Sequence, residues 1–209
     1  MTERQSVVPG RRERNKLRIR SRIYDSALEL FTRQGYEQTT VDEITEAADV
    51  ARGTFFNHFQ RKEDVIAAWG ETRRELLHGG LAAEGLRPDG EESTAHALLR
   101  CMSILADISL RDADQTRALL TAWVKAGFPL HEQPYVSDTF AAFVEAGQGR
   151  GEIRAAADAR LVGFILRDVY LGALFRWAQP DAEMDLEAEL HAACTTVLGG
   201  VLTGDTAAR

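Results

Sequence analysis

Along this 209-residue chain the apolar residues recur at helical spacing, and no strand-like alternation of useful length interrupts them. A first helix is expected from near Lys16 to Gln34, with Ile23, Ala27, Leu30 and Phe31 on one stripe and Gly35 as its stop. Two short helices follow. One opens at Thr40 and carries Val41, Ile44 and Ala48 inward; the other runs from about Ala51 to His58 with Phe55 and Phe59 inward. A longer helix begins near Lys62 and passes through Val65, Ile66, Trp69, Leu76 and Leu77 to Gly79-Gly80. After a Gly- and Pro-containing loop over Glu84–Glu91, three more patterns appear. Leu98, Met102 and Leu105 carry the first, Leu119, Leu120, Trp123 and Val124 the second, and Phe140, Phe143 and Val144 the third, with a break at Phe128-Pro129 between the last two. The stretch from Asp158 to Ala178 is apolar almost all round and must be covered on most faces. Leu186, Leu190, Ala193, Val197 and Val201 form the stripe of a last helix. The fold class is therefore all-α.

The two short helices have the plan of a helix-turn-helix reader. Thr40-Val41-Asp42-Glu43 is a capping box, in which the threonine oxygen accepts from the Glu43 amide and the glutamate reaches back. The threonine hydroxyl keeps its own proton for a phosphate. Asp49 and Val50 make the turn. In the next helix Gly53 and Asn57 point away from the Phe55–Phe59 face, flanked by Thr54 and Phe56, and Arg52 is long enough to reach outward from the first turn. Glycine permits close approach, threonine offers hydroxyl or methyl, and arginine can bond guanine O6 and N7 together. Taken alone, that helix reads first as an ordinary amphipathic one.

Charge placement adds to this picture more than the net charge of -7 does. Residues 1–22 hold Arg4, Arg11, Arg12, Arg14, Lys16, Arg18, Arg20 and Arg22 against Glu3 and Glu13, while acidic residues prevail from residue 66 onward. A basic end on an acidic protein is either a solvated tail or a phosphate-seeking one. Cys101 and Cys194 provide no disulfide framework and no zinc spacing. No apolar run follows the basic start as in a signal peptide, and none approaches the roughly 20 residues of a spanning helix. A cytoplasmic protein with no membrane partner is expected.

The residues Phe31-x-x-x-Gly35-Tyr36, Thr39-Thr40-Val41-x-x-Ile44, Ala47-x-x-Val50, Gly53-Thr54-Phe55-Phe56-x-His58-Phe59 and Lys62-Glu63 together resemble the DNA-binding signature of the tetracycline-repressor (TetR) family of bacterial regulators. The resemblance covers about residues 16–65. It implies that Thr40, Thr54, His58 and Lys62 touch phosphate or the groove edge, with Arg52, Gly53, Thr54 and Asn57 as candidates to read bases in double-stranded DNA. Two positions depart from the commonest pattern. Phe56 lacks the hydroxyl of a frequent Tyr and offers apolar contact only, and Arg61 stands where a small capping residue is usual. The implied organisation is a basic arm over 1–15, a three-helix reader over 16–61, and a helical bundle for ligand binding and dimerisation over 62–209.

Beyond the reader, no G-x-S-x-G, P-loop or H-E-x-x-H motif occurs, and neither a metal nor a cofactor is expected. His191 and Cys194, three apart, read as a surface histidine and an interface cysteine. Gly147-Gln148-Gly149-Arg150-Gly151 has no strand before it and reads as a helix stop. Trp69, Met102, Leu105, Trp123, Phe128, Phe140, Phe143, Phe164, Tyr170 and Phe175 are candidates to line an effector pocket, each of them equally a plain core residue. Arg167 and Asp168 are the polar members, suited to hold a charged group or to pair with each other. Leu161, Ile165, Leu186, Leu190, Ala193, Val197 and Val201 are the dimer candidates, since the resemblance implies a four-helix bundle made from the last two helices of each partner; from their pattern alone these helices are equally the core of a monomer. The expected function is a homodimeric, ligand-responsive transcriptional repressor on a palindromic operator, released by a small-molecule effector. The competing expectation is a small-molecule-binding or catalytic helical protein with a merely structural N-terminal module.

Overall fold

The computed structural model describes residues 10–127, 135–179 and 181–203. Among these residues the ordered elements are helices: α1 (Arg11–Gln34), α2 (Val41–Ala47), α3 (Arg52–Phe56), α4 (Glu63–Ala83), α5 (Thr94–Leu110), α6 (Ala113–Lys125), α7 (Tyr135–Gly149), α8 (Ala159–Trp177) and α9 (Leu186–Gly199). One isolated antiparallel bridge pairs Ile153 with Leu202. The all-α expectation is met, and most helix starts are legible in their caps. Ser93, Asp112, Asp158 and Asp185 each accept from an amide in the first turn of the following helix.

Helices α1, α2 and α3 enclose an apolar centre of Ile23, Ala27, Phe31, Ile44, Phe55 and Phe59, all nearly inaccessible to water. Val65 and Ile66 of α4 belong to the same continuous core, which extends through α5 and α6 to α7, α8 and α9. The reader is thus fused to the rest of the molecule through α4, with α1 also packed on α6.

Three boundaries differ from the sequence reading. Helix α1 starts at Arg11, about five residues early, because nothing after Gly10 opposes helix formation in this basic, polar stretch. Helix α3 is shorter than expected, ending at Phe56. Helix α4 continues through Gly79-Gly80 to Ala83. Gly80 serves packing there: a Cβ would lie 2.8 Å from Ile104 Cγ2, so the glycine lets α4 approach α5. Gly163 does the same between α8 and α7, where a Cβ would stand 2.4 Å from the Ser137 carbonyl oxygen. Val124, placed on the inner stripe of α6 by its spacing, is 45% exposed. The break at Phe128-Pro129 falls outside the described residues.

The Gly147–Gly151 run ends α7, and the turn after it makes the best-defined polar cluster of the bundle. Glu152 Oε2 accepts from the Thr94 amide at 2.7 Å and Glu152 Oε1 from Arg150 Nε at 2.9 Å. Burial alone would raise the pKa of this carboxyl, but the bonds from Arg150 and Thr94 outweigh it and bring it to about 2. A depressed folded-state value stabilises the fold above the unfolded pKa, and the contribution fades as pH falls from about 4.5 toward 2. Replacing Glu152→Gln should cost on the order of 2 kcal/mol at pH 7 and little at pH 2 to 3, as read by urea unfolding at both pH values.

Candidate nucleic-acid interface

The turn between α2 and α3 is held from behind. Asp49 takes φ 50°, in the left-handed region, and Arg22 of α1 donates to the Ala48 carbonyl and, at 3.0 Å, to that of Asp49. Arg22, counted by its sequence position with the basic end, is therefore a positioning residue. Arg20 stacks its guanidinium 4.7 Å from the Phe59 ring centroid. The remaining basic side chains of α1's first turns, Arg11, Arg12, Arg14, Lys16 and Arg18, are exposed, and Arg11, Arg12, Arg14 and Arg18 line a shallow basic surface with Asn15.

On the outer face, Arg52, Gly53, Phe56 and Asn57 are exposed and Thr54 is half-buried, so the fold brings the base-reading candidates together. Nothing lies within 4 Å of where a Gly53 Cβ would be. That glycine is not required by the protein's own packing, which accords with close approach of an outside surface. Arg52 pairs with Asp42 of α2, and its guanidinium sits 5.7 Å from the Phe56 ring centroid. Both partners are largely exposed, so the pair contributes little to stability and can open toward DNA. Phe56 is 45% exposed, edge-on to Phe55 at 5.4 Å.

The capping box at Thr40 is present in full, with Glu43 N donating to Thr40 Oγ1 at 3.2 Å and Thr40 N to Glu43 Oε2 at 2.7 Å. Thr40 Oγ1 also donates to that carboxylate at 2.8 Å, so its proton is engaged without DNA. His58 is half-buried, and its Nδ1 is buried without a partner. Burial, aided by Lys16 and Arg20, lowers the His58 pKa, which favours a neutral ring.

Lys62 has partners within the protein. Its ammonium donates to the carbonyls of Tyr36 at 2.7 Å and Thr39 at 2.8 Å and lies 4.2 Å from the Tyr36 ring centroid. Tyr36 Oη in turn donates to Glu63 Oε1 at 2.8 Å. The expected phosphate donor therefore ties the α1–α2 loop to the start of α4. A two-residue Lys-Glu motif does not distinguish the two uses, because both place a cation at a helix start.

The other expected site residues divide differently. Trp69, Met102, Leu105, Trp123, Phe140, Phe143 and Tyr170 are all buried, and Phe164 and Phe175 are half-buried. Phe128 lies outside the described residues. Arg167 and Asp168 pair with each other at 2.6 Å, with the Asp168 side chain 63% exposed and Arg167 over the Phe164 ring, so they sit on the outside of α8. Of the interface candidates, Leu161 and Ile165 are exposed on α8 (56% and 40%), and Ala193, Val197 and Val201 are half-buried. Leu186 and Leu190 instead belong to this chain's own core, at 1% and 0% exposure, since α9 turns them with Cys194 and Leu198 toward α5. His191 Nε2 bonds with Ser103 Oγ at 2.8 Å, and among the described residues no cluster of three metal-ligating side chains occurs.

A groove of about 640 Å³ opens between α1, α4 and the α5–α6 turn, with Trp69 the one effector candidate that lines it. Arg73, which the sequence did not single out, lines it; no signal marked it because Thr72-Arg73-Arg74-Glu75 looks like any solvated helix face.

The second and third helices of this all-α chain form a helix-turn-helix with an exposed Arg52-Gly53 start, the plan of a DNA reader. This chain matches, over residues 23–69, the model of bacterial regulatory proteins of the tetR family. It is 46% identical over 83 residues to the HTH-type transcriptional regulator TcmR of Streptomyces glaucescens, a match over 40% of this chain and 35% of that one. It is 23% identical over 186 residues to the fatty acid metabolism regulator protein of Bacillus subtilis, covering 86% and 93% of the two chains. Among solved structures, Thermus thermophilus FadR, a transcriptional repressor in complex with lauroyl-CoA, superposes with a TM-score of 0.66 at 28% identity over 88% of this chain and 95% of that one. SmeT, the repressor of a Stenotrophomonas maltophilia efflux pump, has the same fold, with a TM-score of 0.68, 23% identity and coverage of 90% and 92%. These relatives are transcriptional regulators rather than enzymes. Among the described residues no helix is long and apolar enough to cross a membrane.

Two substitutions separate the roles on this face. Arg52→Ala should cost about 1 to 3 kcal/mol of affinity and relax preference at one base pair, measured by anisotropy on a panel of single-base variants. Lys62→Met should lower unfolding free energy by about 1 to 3 kcal/mol while leaving the slope of log affinity against log salt unchanged; a direct phosphate contact would reduce that slope by about 1.

Proposed function

We propose that this chain is a homodimeric repressor that binds a palindromic operator and is released by a small-molecule effector. The observation that carries the reading is the exposed α3 face, Arg52, Gly53 and Asn57 with half-buried Thr54 between them, on a rigid apolar base beside a basic α1. Under this reading residues 1–15 supply charge toward phosphate, 16–61 read the groove, and 62–209 carry the effector and partner surfaces. Thr40 and His58 stand at the edge of the docking face, and Thr40 exchanges its bond to Glu43 for a phosphate oxygen. A reader of this kind acts in the cytoplasm, where bacterial DNA is.

The partner surface proposed is the outer face of α8, led by Leu161 and Ile165, together with Ala193, Val197 and Val201 on and after α9. Exposed branched apolar residues one helical turn apart support it. A two-fold arrangement presents two readers to half-sites one helical turn apart, roughly 34 Å, or a multiple of it. Effector release in this reading follows the behaviour of a protein whose ligand binds the non-DNA conformation better. FadR, solved with lauroyl-CoA, gives a relative in which a ligand is bound.

Gel shift on the DNA flanking its own gene tests the function. Binding that survives excess non-specific DNA and weakens steeply with salt is expected; binding indifferent to sequence favours the competing view that the module is structural. Leu161→Glu with Ile165→Glu should give folded monomers by sedimentation and lose operator binding. Dimers that persist in that double variant place the partner surface elsewhere.

A further inference from the structure

Arg73, in the groove between α1, α4 and the α5–α6 turn, is a polar group that the protein leaves half used. Both protein hydrogen bonds of Arg73 leave from a single nitrogen: Nη2 donates to Ser109 Oγ at 2.6 Å and to Tyr170 Oη at 3.1 Å. Ser109 gives its own proton to the Leu105 carbonyl at 2.8 Å, so it can only accept from Arg73. The guanidinium lies 5.0 Å from the Trp69 ring centroid, which together with those two bonds fixes its plane. Nε and Nη1 then carry three N–H groups with no acceptor among the described residues. They are not sealed off, because His58 Nδ1 is the one buried, unpartnered side-chain nitrogen or oxygen among those residues.

The surroundings decide what such a fork can take. No described carboxylate forms an ion pair with Arg73. The carboxylates of the lining are exposed and two are engaged: Asp25 accepts from Ser21 Oγ at 3.1 Å, and Asp112 caps α6 by accepting from the Gln115 amide at 3.1 Å. Beside the fork the lining is apolar, with Trp69, Leu28 and Ile108 buried and Leu76 43% exposed. A volume of about 640 Å³ is that of a small-molecule site.

We propose that this groove binds an organic carboxylate with a flat apolar body, one carboxylate oxygen accepting from Nε of Arg73 and the body lying against Trp69, Ile108 and Leu76. A carboxylate oxygen accepting from a guanidinium N–H makes a charge-assisted bond, roughly twice as strong as a neutral one. One wall of the groove is α1, which belongs to the reader, and the other is α4 with the α5–α6 turn. An occupant therefore presses on the joint between reader and bundle, and this makes the groove an effector site, a consequence that rests on the regulator reading above.

Isothermal titration of the full chain with indole-3-acetate and with indole-3-acetamide, its neutral twin, tests the site. The acid is expected to bind at least about tenfold more tightly than the amide, and Arg73→Gln should remove that preference while the amide is unaffected. Leu76→Glu, at an exposed position that leaves Arg73 in place, should weaken the acid at least about threefold by like-charge repulsion and spare the amide. Equal affinity for acid and amide, an unaltered preference in a folded Arg73→Gln, or no heat up to about 10 mM acid overturns the proposal. If Arg73→Gln does not fold, Leu76→Glu decides, and an unchanged preference there overturns it. Gel shift on the same preparation separates the two readings. Operator binding without acid binding removes the groove alone, and acid binding without any DNA binding removes the regulator while the carboxylate site stands.

Discussion

A lysine ammonium bonded to two loop carbonyls and set over a tyrosine ring is the contact on which the arrangement of this molecule depends. Lys62 closes the loop between α1 and α2 onto the first turn of α4, and Tyr36 completes the tie through Glu63. Burial holds the Lys62 pKa below its usual value, with Glu63, Glu37 and Glu43 acting against that fall. A charged donor bonded in a partly dry setting is worth more than an exposed pair, and leaving those carbonyls unpaired would be costly. The reader thus has a fixed relation to α4, and the outward residues of α3 are aimed by a helix that also reaches into the bundle.

That geometry explains why the polar face of the reader can be loosely held while its base is not. Arg52 and Asp42 pair in the open, where the bond costs little to exchange, whereas Ile44, Phe55, Phe59 and Val65 are sealed. Arg22 holds the turn from the opposite side. The groove beside α4 sits on the same joint, so a molecule entering it meets the two surfaces whose separation sets the reader's direction.

Much of this was legible in the sequence, and the parts that were not share a physical cause. Periodicity located the helices, the Thr40–Glu43 capping box and the Gly35 stop marked their ends, and the spacing of Phe55 and Phe59 separated the inner from the outer face of α3. Local signals of that kind do not say which partner a long side chain will find. Lys62 and Arg22 read as cations for phosphate, and each also bonds a carbonyl 26 residues away along the chain. Arg73 carried no sequence signal and meets Tyr170, 97 residues on. Leu186 and Leu190 show the same limit for apolar groups: a stripe says that a face is buried, and only the packing of α9 on α5 says against what.

If the reader and the start of α4 are one mechanical unit, they must open together. Native-state hydrogen exchange across low denaturant concentrations measures this directly, through the opening free energies and denaturant slopes of the amides of Ile44 and Phe59 in the reader and of Ile66 in α4. A common opening free energy and a common slope are the predicted result. Earlier opening of Ile44 and Phe59, with a smaller slope and with Ile66 still protected, would contradict the coupling of the reader to α4.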